Sequence, residues 1–330
     1  MFDLKGRRIW VAGHNGMVGS AIVRRLADEQ CTILAVPRSA LDLIRQSEVE
    51  TFLAHERPDA IVIAAARVGG IVANDSYAAD FLHDNLMIET NIIAAAHQAG
   101  VDRLLFLGSS CIYPWGAPQP IDESSLLTGP LEPTNQWYAV AKIAGIKLTQ
   151  AYRKQHGRDY IAAMPANLYG PADNFDLQTS HVLPALIRKA HDAKLSGAKS
   201  MLVWGSGSPL REFLHVDDCA DALVLLLKTY SDGQHINVGS GYELSILDLA
   251  RLVCRVVGYG GDLIHDRTKP DGAPRKLLSS ARLNAMNWRP RVQLEQGISE
   301  TYQWFLANAN DEKTSFDGQA KQSTVDRPRT

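Results

Sequence analysis

Tyr138 and Lys142 stand four residues apart in "YAVAKIAGIKLTQAYRKQHG", a stretch whose pattern predicts a helix, so the phenol and the ammonium fall on one face. That pairing suits reduction of a ketone. An alkoxide formed by hydride arrival must receive a proton, and a nearby cation lowers the phenol's pKa while holding a ribose. Ser109, directly after the apolar run "LLFLG", supplies a third group for the carbonyl oxygen. A Tyr and a Lys at this spacing are commonplace alone; their meaning depends on what else the chain carries.

What else it carries is a glycine-rich turn near the start. In "IWVAGHNGMVGSAI", Gly13, Gly16 and Gly19 sit where a strand passes into a helix. A missing Cβ at such places lets the backbone turn tightly, approach a pyrophosphate and pack helix against sheet, with the helix N-terminus facing the phosphates. The second strand ends "LAVPRS", placing Arg38 where a 2′-phosphate can be paired instead of the acidic residue that favours NAD. NADP is therefore the expected cofactor.

These residues need a frame that brings strand ends together. Short apolar runs, "RIWVAG", "TILAV", "AIVIAAA" and "RLLFLGS", alternate with amphipathic helical stretches, as a parallel sheet covered on both faces requires. The expected fold class is α/β: a Rossmann-type parallel sheet with helices on both faces, plus a smaller mixed α/β substrate domain. Residues 1–168 read mainly as the nucleotide-binding domain. Residues 169–309 read mainly as the substrate domain, with segments near 213–240 returning to the first. "DYIAAMPANLYGP" reads as one further strand, and "HDRTKPDGAPRKLLSS" as a loop. Residues 310–330 have almost no apolar anchors and read as a disordered tail.

Composition narrows the function classes. A net charge of -2 provides no general field for a nucleic-acid backbone. Cys31, Cys111, Cys219 and Cys254 form neither a zinc pattern nor a disulfide framework, so no metal is expected and the thiols read as reduced. No leader pattern precedes the first strand and no apolar run approaches membrane-spanning length, which points to a cytoplasmic protein without a membrane partner.

With the motifs together, the chain resembles the extended branch of the short-chain dehydrogenase/reductases. More narrowly it is similar to the GDP-L-fucose synthase family over about residues 7 to 309. The resemblance rests on "AGHNGMVGSAI", "AAARVGGIVAN", "LFLGSSCIYP", "EPTNQWYAVAKIAGIKL", "NLYGPADNF", "SHVLPALIRK", "VWGSGSPLREFLHVDD" and "KPDGAPRK", of which the second, third and last are the narrowest marks. The resemblance implies conversion of GDP-4-keto-6-deoxy-D-mannose to GDP-L-fucose by 3,5-epimerisation and NADPH-dependent 4-reduction. It makes Ser109, Tyr138 and Lys142 the reductase triad, and Cys111 and His181 the acid/base pair of epimerisation. A thiol near neutral pKa suits removal of a proton beside a ketone, and a histidine suits return of one on the other face.

The same resemblance lays the cofactor along Gly13, His14, Asn15, Gly16, Met17, Val18 and Gly19, over Leu107, Gly108, Ser109 and Ser110, and against Lys142, His181 and the run Pro165, Ala166, Asn167, Leu168. It assigns Lys189, Trp204, Arg211, Lys269 and Arg275 to the substrate, and implies a homodimer built through helices of the nucleotide domain. Asn15 stands where the family often has arginine, which weakens the NADP preference; Lys189 also replaces a common arginine, keeping charge but not bidentate geometry. A nucleotide-sugar 4-epimerase would use the same Ser109, Tyr138 and Lys142 with a retained NAD, without needing Cys111 and His181. A 4,6-dehydratase would call for carboxylates where Ser110 and Cys111 stand. A silent dinucleotide sensor would bind without turnover.

Overall fold

The computed structural model describes residues 1–308; the tail expected at 310–330 lies outside the described residues. The chain opens with β1 (Arg8–Ala12), α1 (Met17–Leu26), β2 (Thr32–Leu34), α2 (Gln46–Glu56), β3 (Ala60–Ile63), α3 (Ile71–Ser76), α4 (Ala78–Gln98), β4 (Arg103–Leu107), α5 (Gln136–His156) and β5 (Asp159–Pro165). There follow β6 (Asn167–Tyr169), α6 (Val182–Ser196), β7 (Ser200–Trp204), β8 (Leu210–His215), α7 (Val216–Thr229) and β9 (Ile236–Val238). The described residues end with β10 (Glu243–Ser245), α8 (Ile246–Val257), β11 (Asp262–Asp266), β12 (Arg275–Lys276), α9 (Ala281–Ala285) and α10 (Leu294–Asn308).

Six strands form one parallel sheet in the order β2-β1-β3-β4-β5-β9. Strand alternation divides its side chains between two cores. Ile9, Val11, Leu105 and Ile161 pack with Ile22 and Leu26 of α1 and Leu223 and Leu227 of α7. On the opposite face Trp10, Ile61, Leu104 and Phe106 pack with Val49 and Leu53 of α2, Ile92 of α4 and Ile146 of α5. Both faces are covered, which is why β3 and β4 are buried along their whole length.

Two smaller sheets lie beyond it. β8 carries β6 and β12 parallel and β10 antiparallel, while β7 and β11 form a parallel pair. Their core is a third cluster, in which Tyr169, Leu186, Leu249, Val253 and Phe305 bring α6, α8 and α10 together.

Two local expectations change. The run from Asp159 to Tyr169 is two strands: β5 stays in the large sheet to Pro165, Ala166 donates its N–H to the Val238 carbonyl, and β6 pairs with β8. The stretch read as a basic loop contains the end of β11 and all of β12, because β7 and β8 each present a strand edge that it pairs.

Arg103 ties the sheet to α7. It is 2% exposed and donates to the carbonyls of Leu226, Leu227 and Tyr230 at the C-terminal end of that helix, and to Asp159. The Leu226 carbonyl also accepts from the Tyr230 amide, but the carbonyls beyond it have run out of helical N–H partners, and a cation there also opposes the negative end of the helix dipole. Arg103→Met should therefore lower the unfolding free energy by about 2–3 kcal/mol in a denaturant titration.

Candidate active site

The nucleotide end of the site is made by the turn after β1. Because β2 lies on one side of β1 and β3 on the other, this turn opens at the topological switch point of the sheet. Its three glycines answer three different constraints. Gly13 has φ +89°, and a Cβ there would lie 2.6 Å from the Ala65 nitrogen. A Cβ on Gly19 would lie 2.0 Å from the Gly13 carbonyl oxygen, so that glycine lets helix and turn touch. Gly16 is different: a Cβ there would meet only the Gly13 oxygen, at 3.5 Å.

The protein itself thus has room for a side chain at Gly16, and the open space on that side is where a phosphate approaches. α1 begins at this point with no side-chain cap and no acidic residue in its first turn, leaving its first amides for an anion. The His14 Nδ1 atom is likewise buried without a hydrogen-bond partner. A bound diphosphate fits these features. Arg38 is exposed beyond β2.

The chemical groups come from strand and helix ends above the sheet. Ser109 follows β4 and caps the single 3₁₀ turn Ser110–Ile112, its Oγ accepting from the Cys111 amide at 3.4 Å. That turn puts the serine and the cysteine at one place. From α5 come Tyr138 and Lys142, the Lys142 Nζ lying 5.8 Å from the centre of the Tyr138 ring and 4.6 Å from that of Phe106. His181 is the residue before α6, whose first turn it opens. Ser109, Cys111, Tyr138 and His181 all line one cavity of about 310 Å³. Lys142, 2% exposed, lies behind the tyrosine.

Burial sets the protonation states. Desolvation raises the Tyr138 phenol well above its ordinary value, assisted by the nearby Cys111 and Glu89, so the phenol keeps its proton. Desolvation also raises the Cys111 thiol, opposed first by Lys276 and then by Ser109 and Lys142. The thiol near neutral pKa expected from the sequence is therefore absent from the resting site: water is excluded around the sulfur. His181 is pushed the other way, toward neutral imidazole, by desolvation and then by Lys276.

The rest of the cavity wall belongs to the smaller sheets. Asn167 and Leu168 of β6, Lys189 of α6, Trp204 at the end of β7 and Arg211 of β8 line it. Pro165 and Ala166 are buried just before them. Trp204 is 39% exposed and closes no core; its ring lies 4.6 Å from the Lys189 ammonium and 5.1 Å from that of Lys269. Arg211 donates to the Leu210 and Asp271 carbonyls.

Arg275 sits elsewhere, its guanidinium on the Glu243 carboxylate at 2.8 Å and outside the cavity lining. Its neighbour Lys276, paired in register with Arg211, lines the cavity and acts on both Cys111 and His181. The motif "KPDGAPRK" contained this lysine, but adjacent residues of a strand face opposite ways, and only the register of β12 decides which one faces in. Glu132, Asn135 and Asp271 also line the cavity without having been singled out. Among the described residues no group of His, Cys, Asp and Glu is placed to hold a metal, and no helix is long and apolar enough to cross a membrane.

Two substitutions test this geometry. Gly16 has φ -75°, so Gly16→Ala should leave the thermal unfolding midpoint unchanged while weakening nicotinamide dinucleotide binding at least ~10-fold by calorimetry, since only the ligand meets the new methyl. Lys276→Met should move the pH midpoint of Cys111 alkylation upward, because the ammonium that favours the thiolate is gone.

Comparison with known proteins shows the family. Residues 9–239 match the model of the NAD dependent epimerase/dehydratase family. A GDP-L-fucose synthase of Sinorhizobium fredii is 61% identical, the match covering 94% of this chain and 99% of that protein. Among solved structures, a GDP-6-OMe-4-keto-L-xylo-heptose reductase from C. jejuni superposes with a TM-score of 0.87 at 32% identity, over 92% of this chain and 98% of the other. A GDP-L-fucose synthetase from Naegleria fowleri bound to NADP gives a TM-score of 0.85 at 29% identity, over 93% and 96%. With such identity along nearly the whole of both chains, this chain belongs to the NAD dependent epimerase/dehydratase family and, within it, to the GDP-L-fucose synthases.

Proposed function

We propose that this enzyme converts GDP-4-keto-6-deoxy-D-mannose to GDP-L-fucose, epimerising C3 and C5 and then reducing the C4 ketone with NADPH. One observation carries the reading: a protonated Tyr138 backed by Lys142, with Ser109, shares a single cavity with Cys111 and His181. A simple reductase or a 4-epimerase needs only the first three groups.

The C4 ketone acidifies the C–H bonds on both sides of it, so one acid/base pair serves C3 and C5 after a small movement of the sugar. At rest the pair is Cys111 thiol and neutral His181. Moving one proton from sulfur to imidazole leaves the inventory unchanged and gives a thiolate to take the sugar proton and an imidazolium to return one on the opposite face. Lys276 favours the thiolate. Ser109 and Tyr138 hold the C4 oxygen as it gains charge in each enediolate.

The Gly13–Gly19 turn would hold NADPH, and the chemistry supplied when it is bound would be hydride donation to C4. Tyr138 gives its proton to the C4 alkoxide, and the phenolate left behind faces Lys142, which would also hold the cofactor ribose. Lys189, Trp204, Arg211 and Lys269 would take the GDP end, the cations meeting the diphosphate and the indole stacking on a ring. In this reading residues 1–168, with α7 and β9, form the nucleotide domain, and residues 169–309 mainly form the substrate domain. We place the enzyme in the cytoplasm as a homodimer joined through the nucleotide domain, where α5 turns Trp137 and Val140 outward.

The test is incubation with GDP-4-keto-6-deoxymannose and NADPH in deuterated water, following nucleotide oxidation and identifying the sugar by NMR. The parent should yield GDP-L-fucose deuterated at C3 and C5, with one NADPH consumed per sugar, and the same preparation should sediment as a dimer. Tyr138→Phe should reduce turnover by ~100-fold or more. Cys111→Ser should yield mainly unepimerised 6-deoxyhexose. Full epimerisation by Cys111→Ser would overturn the acid/base assignment, and near-normal reduction by Tyr138→Phe would overturn the triad.

A further inference from the structure

Glu89 lies between α4 and α5, 1% exposed, and neither of its carboxylate oxygens makes a well-formed hydrogen bond among the described residues. A buried carboxyl in that condition costs stability, and a substrate-binding role does not explain it, since Glu89 is outside the cavity lining. Its place is set by a missing side chain on the facing helix. A Cβ on Gly145 would sit 3.0 Å from the Glu89 Cδ atom and 2.4 Å from the Phe106 ring. Gly145 lies three residues beyond Lys142, on the same face of α5. The Lys142 ammonium approaches the same Phe106 ring, 4.6 Å from its centre. Glycine at 145 therefore lets a carboxyl occupy the interior beside the catalytic lysine.

We propose that Glu89 is a positioning residue of the reductase, whose carboxylate keeps the buried Lys142 an ammonium while Tyr138 gives up its proton. The idea rests on the Tyr138 and Lys142 roles given above. When the phenolic proton passes to the C4 alkoxide, the phenolate needs a cation beside it, and burial by itself drives Lys142 toward the uncharged amine. The Glu89 carboxylate opposes that loss. No further proton or electron enters the step.

The groups around Glu89 fit this role. Lys142 and Tyr138 face it from α5, and Cys111 faces those two from the turn after β4. Lys142 is the charged side chain that acts on Glu89 itself; α2 and α3, which also pack on α4, present none that does. Burial raises the Glu89 carboxyl to about 7 against the pull of Lys142, so it ionises near neutrality.

The experiment compares the pH dependence of reduction in the parent, Glu89→Gln, Glu89→Asp and Tyr138→Phe. Glu89→Gln keeps the shape and removes the charge. Its alkaline limb of kcat should move down by about one unit, with KM for both substrates within about twofold, and Glu89→Asp should restore part of the shift. A Glu89→Gln profile that superposes on the parent's, while Tyr138→Phe has lost reduction, would overturn the proposal. Retained reduction in Tyr138→Phe would instead overturn the reading beneath it.

The unmodified enzyme gives a second measurement that does not depend on a variant folding. Difference infrared spectroscopy with carboxyl-labelled glutamate should show, beside any signal of the buried Glu123 and Glu212, a buried acid that ionises as pH rises through about 7. The absence of any buried glutamate that ionises by the pH where the enzyme turns over would refute the role.

Discussion

The site depends on the backbone leaving β5. A parallel strand ends at the level where the sheet's ligands bind, and here the chain does not turn away after it. Ala166 keeps a hydrogen bond to β9, and the next residue begins pairing with β8. One extended stretch thereby belongs to two sheets. Asn167 reinforces the transfer by donating its side-chain amide to the Glu212 carbonyl at 2.7 Å. Ser109, which follows the neighbouring strand β4, and Arg211, which precedes Glu212, reach one cavity because of this shared segment.

Buried polar groups then hold the smaller sheet in register. Glu212, 1% exposed, accepts from the amides of Gly241 and Leu278, so a single carboxylate fixes β8 against the segments beside β10 and β12. Asn237, fully buried, donates to the carbonyls of Ile121 and Ser279 and accepts from the Tyr113 hydroxyl. These bonds join the long loop after β4 to the end of the large sheet. Removing water from the site raises both Cys111 and Tyr138, and the same enclosure makes a few cations, Lys142 and Lys276 above all, decisive for the chemistry.

Exclusion of water also explains why the cysteine does not rest as a thiolate. A thiolate inside a dry cavity is costly unless positive charge accompanies it, so in the proposed mechanism the active charge form of the pair needs the proton to move from Cys111 to His181. The burial that suppresses the thiolate preserves the phenol as an acid. In the proposed mechanism one solvent-poor pocket thus favours the final protonation of the alcohol and leaves epimerisation to depend on local charges.

The sequence by itself determined the parallel α/β framework, the glycine turn and the Tyr138–Lys142 helix face, because each is written in short-range spacing: strand runs, glycines at a strand-to-helix junction, and one helical turn. Ser109 was legible for the same reason, as a residue just past a buried strand. Cys111 and His181 were legible through resemblance, being far apart in the chain and unremarkable alone. Only the tertiary structure decided that β5 and β6 part company, that Lys276 and not Arg275 faces the cavity, and that Glu89 is buried within electrostatic reach of Lys142. Strand exchange, strand register and the closeness of two helices are set by long-range pairing and packing, whose partners lie tens to hundreds of residues away and leave no local pattern.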